Sequence, residues 1–266
     1  MSTAISKDGT EIGYTRVGSG PPVVLVDGAL CHRGFGPLPA VAKELAAAFS
    51  VYTYDRRGRG ASGSTPPFAP AREIADLEAV IGEAGGSACV CGVSSGAALA
   101  LDAAARGVPI ERLALYEPPF IVDDTRPPIT GDDARQMQQH LDAREHGAAV
   151  AHFMRMVGVP RMGLVMMRLM PMWSKLKAVA PTLPHDLAIT VPRQAGRPLS
   201  PTEWASVTAP TVVIAGGKSP AWMRNGNAAL AAVIPGAAHQ VLPGQTHMVK
   251  AKVLAPFLAG FFRARS

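Results

Sequence analysis

The sequence predicts an α/β fold, in which a mostly parallel β-sheet carries helices on both faces. Short apolar runs rich in β-branched residues recur along the 266 residues, and each is followed by a glycine-bearing turn and a stretch of helical periodicity. Strands that are apolar on both faces are typical of a parallel sheet buried between two helical layers. Residues 118–209 lack such a run and predict a helical insertion between two strands.

The first predicted element is an antiparallel hairpin over residues 3–17, where an alternating pattern is interrupted by the turn residues Asp8 and Gly9. Predicted strands then alternate with predicted helices, which favours a parallel sheet. The strands cover residues 22–26, 51–54, 88–91, 113–116, 211–214 and 239–242. The helices cover residues 38–49, 71–83, 97–106, 228–233 and 249–262.

The insertion is rich in methionine, since eight of the eleven methionines lie between Met137 and Met172. We expect residues 1–119 and 206–266 to form the core and residues 120–205 to form a helical cap over the carboxyl edge of the sheet. Methionine side chains fill cores and also adapt to irregular ligands, so we expect about half of them to line a pocket. Four prolines interrupt the helical pattern: Pro160, Pro171, Pro181 and Pro184.

Composition narrows the class of protein. Hydrophobic residues make up 48% and charged residues 17%, which allows a sizeable core and argues against disorder. The net charge of +6 comes from scattered arginines without a basic run, which argues against nucleic acid as a partner. No apolar stretch is long enough to span a membrane, and the polar N-terminus lacks a signal-peptide pattern, so we expect neither a membrane partner nor secretion.

The three cysteines, Cys31, Cys89 and Cys91, are not at metal-ligand spacing, and we expect no metal, no cofactor and a reducing, cytoplasmic compartment. We expect Cys89 and Cys91 to act as small hydrophobic residues on a buried strand. The sequence leaves a homodimer possible.

A G-x-S-x-G motif, Gly92 to Gly96, lies between a predicted strand and a predicted helix rich in small residues. Such a position predicts a nucleophile elbow, a sharp turn that strains the serine backbone and brings the flanking glycines too close for a Cβ. Ser94 fits the motif better than Ser95, which Val93 and Ala97 would flank. Ser94 is therefore the candidate nucleophile.

With these motifs the chain resembles the α/β-hydrolase superfamily from about Ile5 to Phe262, except over the cap. Asp27, Gly28 and Ala29 follow the first core strand, where such enzymes often have His-Gly-x. Residues 55–62, Asp-Arg-Arg-Gly-Arg-Gly-Ala-Ser, resemble the family's D-x-R-G-x-G-x-S turn. We interpret this turn as structural rather than as an anion site.

The resemblance implies that His247, after the last strand, is the base for Ser94 and that the backbone N–H groups of Ala29 and Ser95 form the oxyanion hole. Asp27 departs from the family's histidine. An ionised carboxylate aimed at an oxyanion would oppose it, so we expect Asp27 to turn away and to hydrogen-bond nearby backbone.

The acid that orients His247 is the larger departure. The family usually places it after the strand at 211–214, where this chain has Ser219, and no Asp or Glu follows Glu203. Some relatives place it at the end of the strand after the nucleophile's helix, where this chain has Glu117. We expect a carboxylate oxygen of Glu117 within about 2.6–3.2 Å of a His247 ring nitrogen. Asp123, Asp124 and Ser219 remain the alternatives.

The expected activity is hydrolysis of an ester, thioester or lactone through an acyl-Ser94 intermediate, with a small hydrophobic acyl or ester substrate. His32, Met154 and Trp222 are the candidate substrate-binding residues. The alternative is a non-hydrolytic lyase or cyclase, or a protein that binds small molecules on the same fold, because the usual acid is missing.

Overall fold

An eight-stranded sheet runs through the molecule, whose residues 2–264 are described by a computed structural model. Its spatial order is β1-β2-β4-β3-β5-β6-β7-β8; β2 pairs antiparallel with β1 and β4, and every other pairing is parallel. The predicted hairpin and the predicted α/β sheet are therefore confirmed. The strands are β1 (Ser2–Ile5), β2 (Glu11–Val17), β3 (Pro22–Val26), β4 (Ser50–Tyr54), β5 (Ala88–Val93), β6 (Ile110–Tyr116), β7 (Thr211–Gly216) and β8 (Ala238–Leu242).

Two helical layers bury the sheet, because successive strand residues point to opposite faces. Val23 and Leu25 pack into one cluster with the first and last helices, and Val24 and Val26 pack into the other cluster. The first layer is α1 (Leu38–Leu45) and α10 (Ala251–Arg263), and the second is α2 (Pro70–Glu83), α3 (Ser95–Ala105) and α9 (Ala221–Val233).

Cys89 and Cys91 lie in the α1–α10 cluster, as expected of small hydrophobic residues. Burial raises the pKa of the Cys89 thiol to about 11 and that of the Cys91 thiol to about 12, so both stay protonated at neutral pH.

Helix α9 begins at Ala221, seven residues before the predicted start at 228. Gly226 lies in the part of the helix that was not predicted, and it packs on the backbone of a neighbouring segment. A Cβ at Gly226 would lie 2.3 Å from the carbonyl oxygen of Phe120, so the glycine permits close packing rather than a turn.

Five α-helices lie between β6 and β7: α4 (Gly131–Asp142), α5 (His146–Met156), α6 (Arg161–Leu169), α7 (Met172–Val179) and α8 (Leu183–Thr190). The prolines that interrupt the sequence pattern stand at helix starts, since Pro160 and Pro171 precede α6 and α7, and Pro184 is in the first turn of α8. Proline is tolerated there because the first N–H groups of a helix have no partner within it.

These helices have a hydrophobic cluster of their own, which includes Leu30 from the loop after β3. Helix α8 also packs on α3 and α2 of the core. The limits of a cap at 120 and 205 stay a prediction, and residues 1, 265 and 266 of the predicted core lie outside the described residues.

The methionines divide into two groups. Met137 is buried in the cluster of these helices, and Met154, Met156, Met167 and Met172 pack against it. Met162, Met166 and Met170 are exposed to solvent, whereas the sequence led us to expect about half of the methionines to line a pocket and the others to fill a core. The reason is that Leu164 is the one buried residue of α6, so Met162 and Met166 lie on the outer side of the helix.

Gly226→Ala should destabilise the protein by at least about 1 kcal/mol, because the new Cβ would overlap the backbone of Phe120. Gly82→Ala in α2 is the matched control, since nothing lies within 4 Å of its added Cβ. That change should be neutral or should stabilise by up to about 1 kcal/mol, through helix propensity. Urea unfolding of both variants measures the difference, and equal effects would contradict the packing role of Gly226.

Candidate active site

Ser94 lies at a strained turn between β5 and α3, with φ 56° and ψ −125°. A non-glycine residue in a sparsely populated region of this kind costs about 1–3 kcal/mol. Glycines two residues away on each side allow the turn: a Cβ at Gly92 would lie 2.4 Å from Gly96 O, and a Cβ at Gly96 would lie 2.4 Å from Val26 O. The motif therefore folds as a sharp elbow.

The carboxyl ends of two other strands, β6 and β3, lie next to the elbow. The Ser94 N–H donates to Tyr116 O at 2.9 Å, which joins it to the end of β6. The loop after β3 passes the serine side chain so closely that a Cβ at Gly28 would lie 3.6 Å from Ser94 Oγ.

Glu117 follows β6 directly, and its carboxylate contacts the loop that carries His247. Oε2 lies 2.8 Å from His247 Nδ1, which is the contact expected from the sequence, and Oε1 accepts the Gly216 N–H at 2.6 Å. The Glu117 side chain is 0% exposed, whereas that of His247 is 37% exposed. Tyr116 also donates its hydroxyl to Thr246 O at 2.6 Å. The end of β6 thus holds the histidine loop at two points.

The alternative acids do not contact His247 within residues 2–264. Asp123 accepts from Asn225 Nδ2 at 2.7 Å, and Asp124 is exposed. Ser219 is buried where the family usually has its acid, and its hydroxyl has no hydrogen-bond partner in the described part of the chain. Of the four candidates, Glu117 alone meets the imidazole there.

Ser94 Oγ and His247 are not hydrogen-bonded to each other in the described structure, and ring nitrogen Nε2 is the one that Glu117 leaves open. Hydrogen bonds between catalytic groups are often long before substrate binds. The lack of a Ser94–His247 hydrogen bond therefore does not argue against their expected roles as nucleophile and base. The Ala29 and Ser95 N–H groups follow Gly28 and Ser94, and neither donates a hydrogen bond within the described residues.

A buried ionic cluster lies behind both N–H groups. Asp186 of α8 accepts from Arg56 Nη1 and Arg59 Nη2, each at 2.7 Å, and from Ser95 Oγ at 2.7 Å. Arg56 also forms a two-point contact with Glu73 of α2. Burial opposes ionisation of Asp186, but Arg59 and Arg56 outweigh burial and lower its pKa.

The same arginines bind the loop after β3 by its carbonyl groups. Arg59 Nη1 donates to Gly28 O at 2.7 Å and to Cys31 O at 3.0 Å, and Arg56 Nη1 donates to Asp27 O at 3.3 Å. This cluster supports the structural interpretation of the arginine-rich turn, because its arginines are buried against carboxylates.

Asp186 was not among the site residues predicted from the sequence. A signal was present, since Asp186 is the only acidic residue between Glu145 and Glu203 and stands in an apolar helix. A lone buried carboxylate requires a cationic partner. The partners lie 127 and 130 positions away, and no local pattern connects them.

Asp27 is buried, but the expected hydrogen bond to nearby backbone is absent: no N–H among the described residues donates to its carboxylate, and its buried Oδ1 has no partner there. Burial raises its pKa from 3.8 to about 8, against the opposing effect of Arg59 and Arg56 and with the help of Asp55. The carboxyl is therefore mostly neutral at pH 7, which removes the charge that would oppose an oxyanion.

The candidate substrate-binding residues lie on three elements. His32 is in the loop after β3, where its Nδ1 accepts the Gly34 N–H at 3.1 Å. Met154 on α5 packs against the cluster of the inserted helices, and the Trp222 ring on α9 lies 4.3 Å from the Arg126 guanidinium carbon. Contact of all three with substrate stays a prediction.

Within residues 2–264, no group of three or more His, Cys, Asp or Glu side chains is arranged to hold a metal ion. None of the described helices has the length and apolar character needed to cross a membrane.

Comparison with known proteins gives one family and several similar structures. Residues 23–252 match the model of the alpha/beta hydrolase family. The crystal structure of an alpha/beta hydrolase from Sphaerobacter thermophilus is 47% identical over 98% of this chain and 100% of that chain, with a TM-score of 0.91. No curated protein matches the sequence significantly.

Two more distant structures share the fold. A hydrolase from Pseudomonas aeruginosa is 24% identical over 99% of this chain and 98% of that chain, with a TM-score of 0.70. The enol-lactonase from Burkholderia xenovorans is 22% identical over 99% of this chain and 100% of that chain, with a TM-score of 0.68.

Asp27→Asn should stabilise the protein increasingly as the pH rises from about 4 to about 8. In this range the unfolded chain releases the Asp27 proton and the folded chain retains it, so rising pH favours unfolding of the wild type. The asparagine side chain of the variant cannot titrate, and the difference in unfolding free energy should grow by up to about 1.4 kcal/mol per pH unit and level off above pH 8. Urea titrations at several pH values measure it; a constant difference would contradict the raised pKa.

Proposed function

Because the chain belongs to the alpha/beta hydrolase family, we propose that it is a serine hydrolase that cleaves an ester, thioester or lactone through an acyl-Ser94 intermediate. The observation that carries the proposal is the fully buried Glu117 carboxylate, which lies 2.8 Å from His247 Nδ1 beside the strained elbow. A carboxylate in this position selects the tautomer whose Nε2 can accept a proton.

In acylation, Ser94 Oγ attacks the substrate carbonyl carbon and transfers its proton to His247 Nε2. The carbonyl oxygen becomes an oxyanion, which the Ala29 and Ser95 N–H groups stabilise. The tetrahedral intermediate then breaks its bond to the leaving oxygen or sulfur, which takes the proton from Nε2. An alcohol or thiol departs, whereas the hydroxyl of an opened lactone stays attached to the acyl group. The acyl group remains on Ser94.

In deacylation, His247 Nε2 takes a proton from water while the water oxygen attacks the acyl carbon. Collapse of the second intermediate returns the proton to Ser94 Oγ and releases the carboxylic acid. Glu117 remains ionised throughout and stabilises the imidazolium that forms in each half-reaction.

The inserted helices, residues 120–205 in this proposal, form a cap that contributes Met154 to a hydrophobic substrate site. His32 and Trp222 complete that site from the core. The shared fold with an enol-lactonase is compatible with a lactone among the substrates. A panel of p-nitrophenyl esters and aliphatic lactones of increasing chain length tests this class of substrate.

The non-hydrolytic alternative depended on a missing acid. Since Glu117 contacts His247, no observation now favours that alternative over hydrolysis.

Ser94→Ala should lower turnover of p-nitrophenyl esters by at least about a thousandfold, because no other group forms the acyl intermediate. A fluorophosphonate should modify the wild type at Ser94, as peptide mass spectrometry can show. Ser87→Ala, at a partly exposed serine bonded to Glu111, is the control and should keep full activity and labelling. If the Ser94 variant retains more than about a tenth of the activity, the nucleophile lies elsewhere.

Glu117→Gln should lower the acylation rate by about a hundredfold or more. With its amide oxygen accepting from Gly216, the introduced glutamine would turn its amino group toward Nδ1 as a donor and select the tautomer with a protonated Nε2. Stopped-flow measurement of the p-nitrophenol burst gives this rate. Asp123→Asn and Ser219→Ala are the comparison variants and should change it by less than about threefold. A larger loss in Ser219→Ala would indicate a serine–histidine–serine arrangement.

A further inference from the structure

Helix α6 presents an apolar face to solvent. Met162, Val165, Met166 and Leu169 recur at helical spacing on that face, and we call these four residues the apolar α6 face. Met162 is 74% exposed and Leu169 is 79% exposed. Monomeric proteins rarely leave several large apolar side chains together in water, so such a face indicates a binding surface.

The helix is fixed to the molecule by its other side. Leu164 is buried, and Met167 packs against the cluster of the inserted helices. The main neighbours of α6 are α5 and α7, so the helix lies at the periphery of the inserted segment. Its apolar face is therefore directed outward from a folded support.

The segment of the chain that carries this face is cationic. Residues 146–185 contain no Asp or Glu, and all five of their arginine and lysine residues are exposed. None of the five forms an ion pair with a carboxylate in the described residues. They are Arg155, Arg161, Arg168, Lys175 and Lys177.

The positive charge of residues 146–185 indicates which kind of partner can bind the apolar α6 face. Pairing of the apolar α6 face with the same face of a second copy would bring the cations of both copies together, which opposes self-association. A single convex helix offers no groove for a specific protein side chain, but it can insert into a fluid interface without a complementary pocket. An apolar helix face flanked by arginine and lysine is the pattern of helices that lie on anionic lipid.

We propose that the apolar α6 face and the five exposed cations of residues 146–185 bind the surface of an anionic lipid membrane. The sequence lacks a membrane-spanning segment, and we therefore expected no membrane partner, but a helix that lies in the headgroup region needs no span. Insertion of the four apolar side chains supplies the hydrophobic contact, and the cations supply the preference for anionic headgroups.

The test is co-sedimentation of the full chain with vesicles of phosphatidylcholine, alone or with about 30 mol % phosphatidylglycerol. The wild type should bind the anionic vesicles at least about tenfold more tightly than the neutral ones, and less tightly as salt is raised. M162Q/L169Q should lose at least about tenfold in affinity through reduced apolar contact, and R161Q/R168Q through reduced charge.

Ile5→Gln is the matched control, because Ile5 is an exposed apolar residue on β1, remote in sequence from α6. It should bind like the wild type, and thermal melts should show all variants folded. Equal binding to both vesicle types, no binding by the wild type, or unchanged binding by M162Q/L169Q would each overturn the proposal. A wild-type dimer that M162Q/L169Q dissociates in sedimentation velocity would overturn it in favour of self-association. These results do not depend on whether Ser94 is the nucleophile.

Discussion

One buried carboxylate connects the parts of this molecule whose relative positions the proposed mechanism requires. Asp186, on the last inserted helix, accepts hydrogen bonds from Arg56, Arg59 and Ser95. The arginines in turn bind the carbonyl groups of the loop after β3. The two N–H groups proposed to hold the oxyanion belong to different loops, and a single ionic cluster fixes the distance between those loops.

A buried ionic cluster of this kind adds little to the free energy of unfolding, but it strongly favours one arrangement of its side chains. Removing two ions from water costs several kcal/mol each, and the attraction between them roughly balances that cost. Loss of one partner leaves an unpaired buried charge, so the arrangement with every partner in place is the favoured one. Asp186 therefore makes the position of α8 and the shape of the loop after β3 depend on each other.

The carboxylate proposed to orient His247 shows that a parallel sheet offers more than one strand end from which such a group can reach the histidine. β6 lies between β5 and β7, so residues at the carboxyl ends of these strands are neighbours whichever strand carries the acid. Glu117 follows β6, bonds Gly216 at the end of β7 and still meets His247. Ser219 remains at the usual position as a buried hydroxyl without a partner in the described residues.

The sequence by itself determined the α/β fold and the elbow at Ser94, because strand spacing and parallel connection restrict which chain ends can meet. It left Glu117, Asp123, Asp124 and Ser219 as candidates for the group that contacts His247. The tertiary structure decided the rest. It brought Asp186 to arginines far away in sequence, left Asp27 Oδ1 without a partner among the described residues and turned the apolar α6 face outward. The periodicity of a sequence shows which residues lie on the same face of a helix or strand. What that face packs against depends on how the whole chain folds.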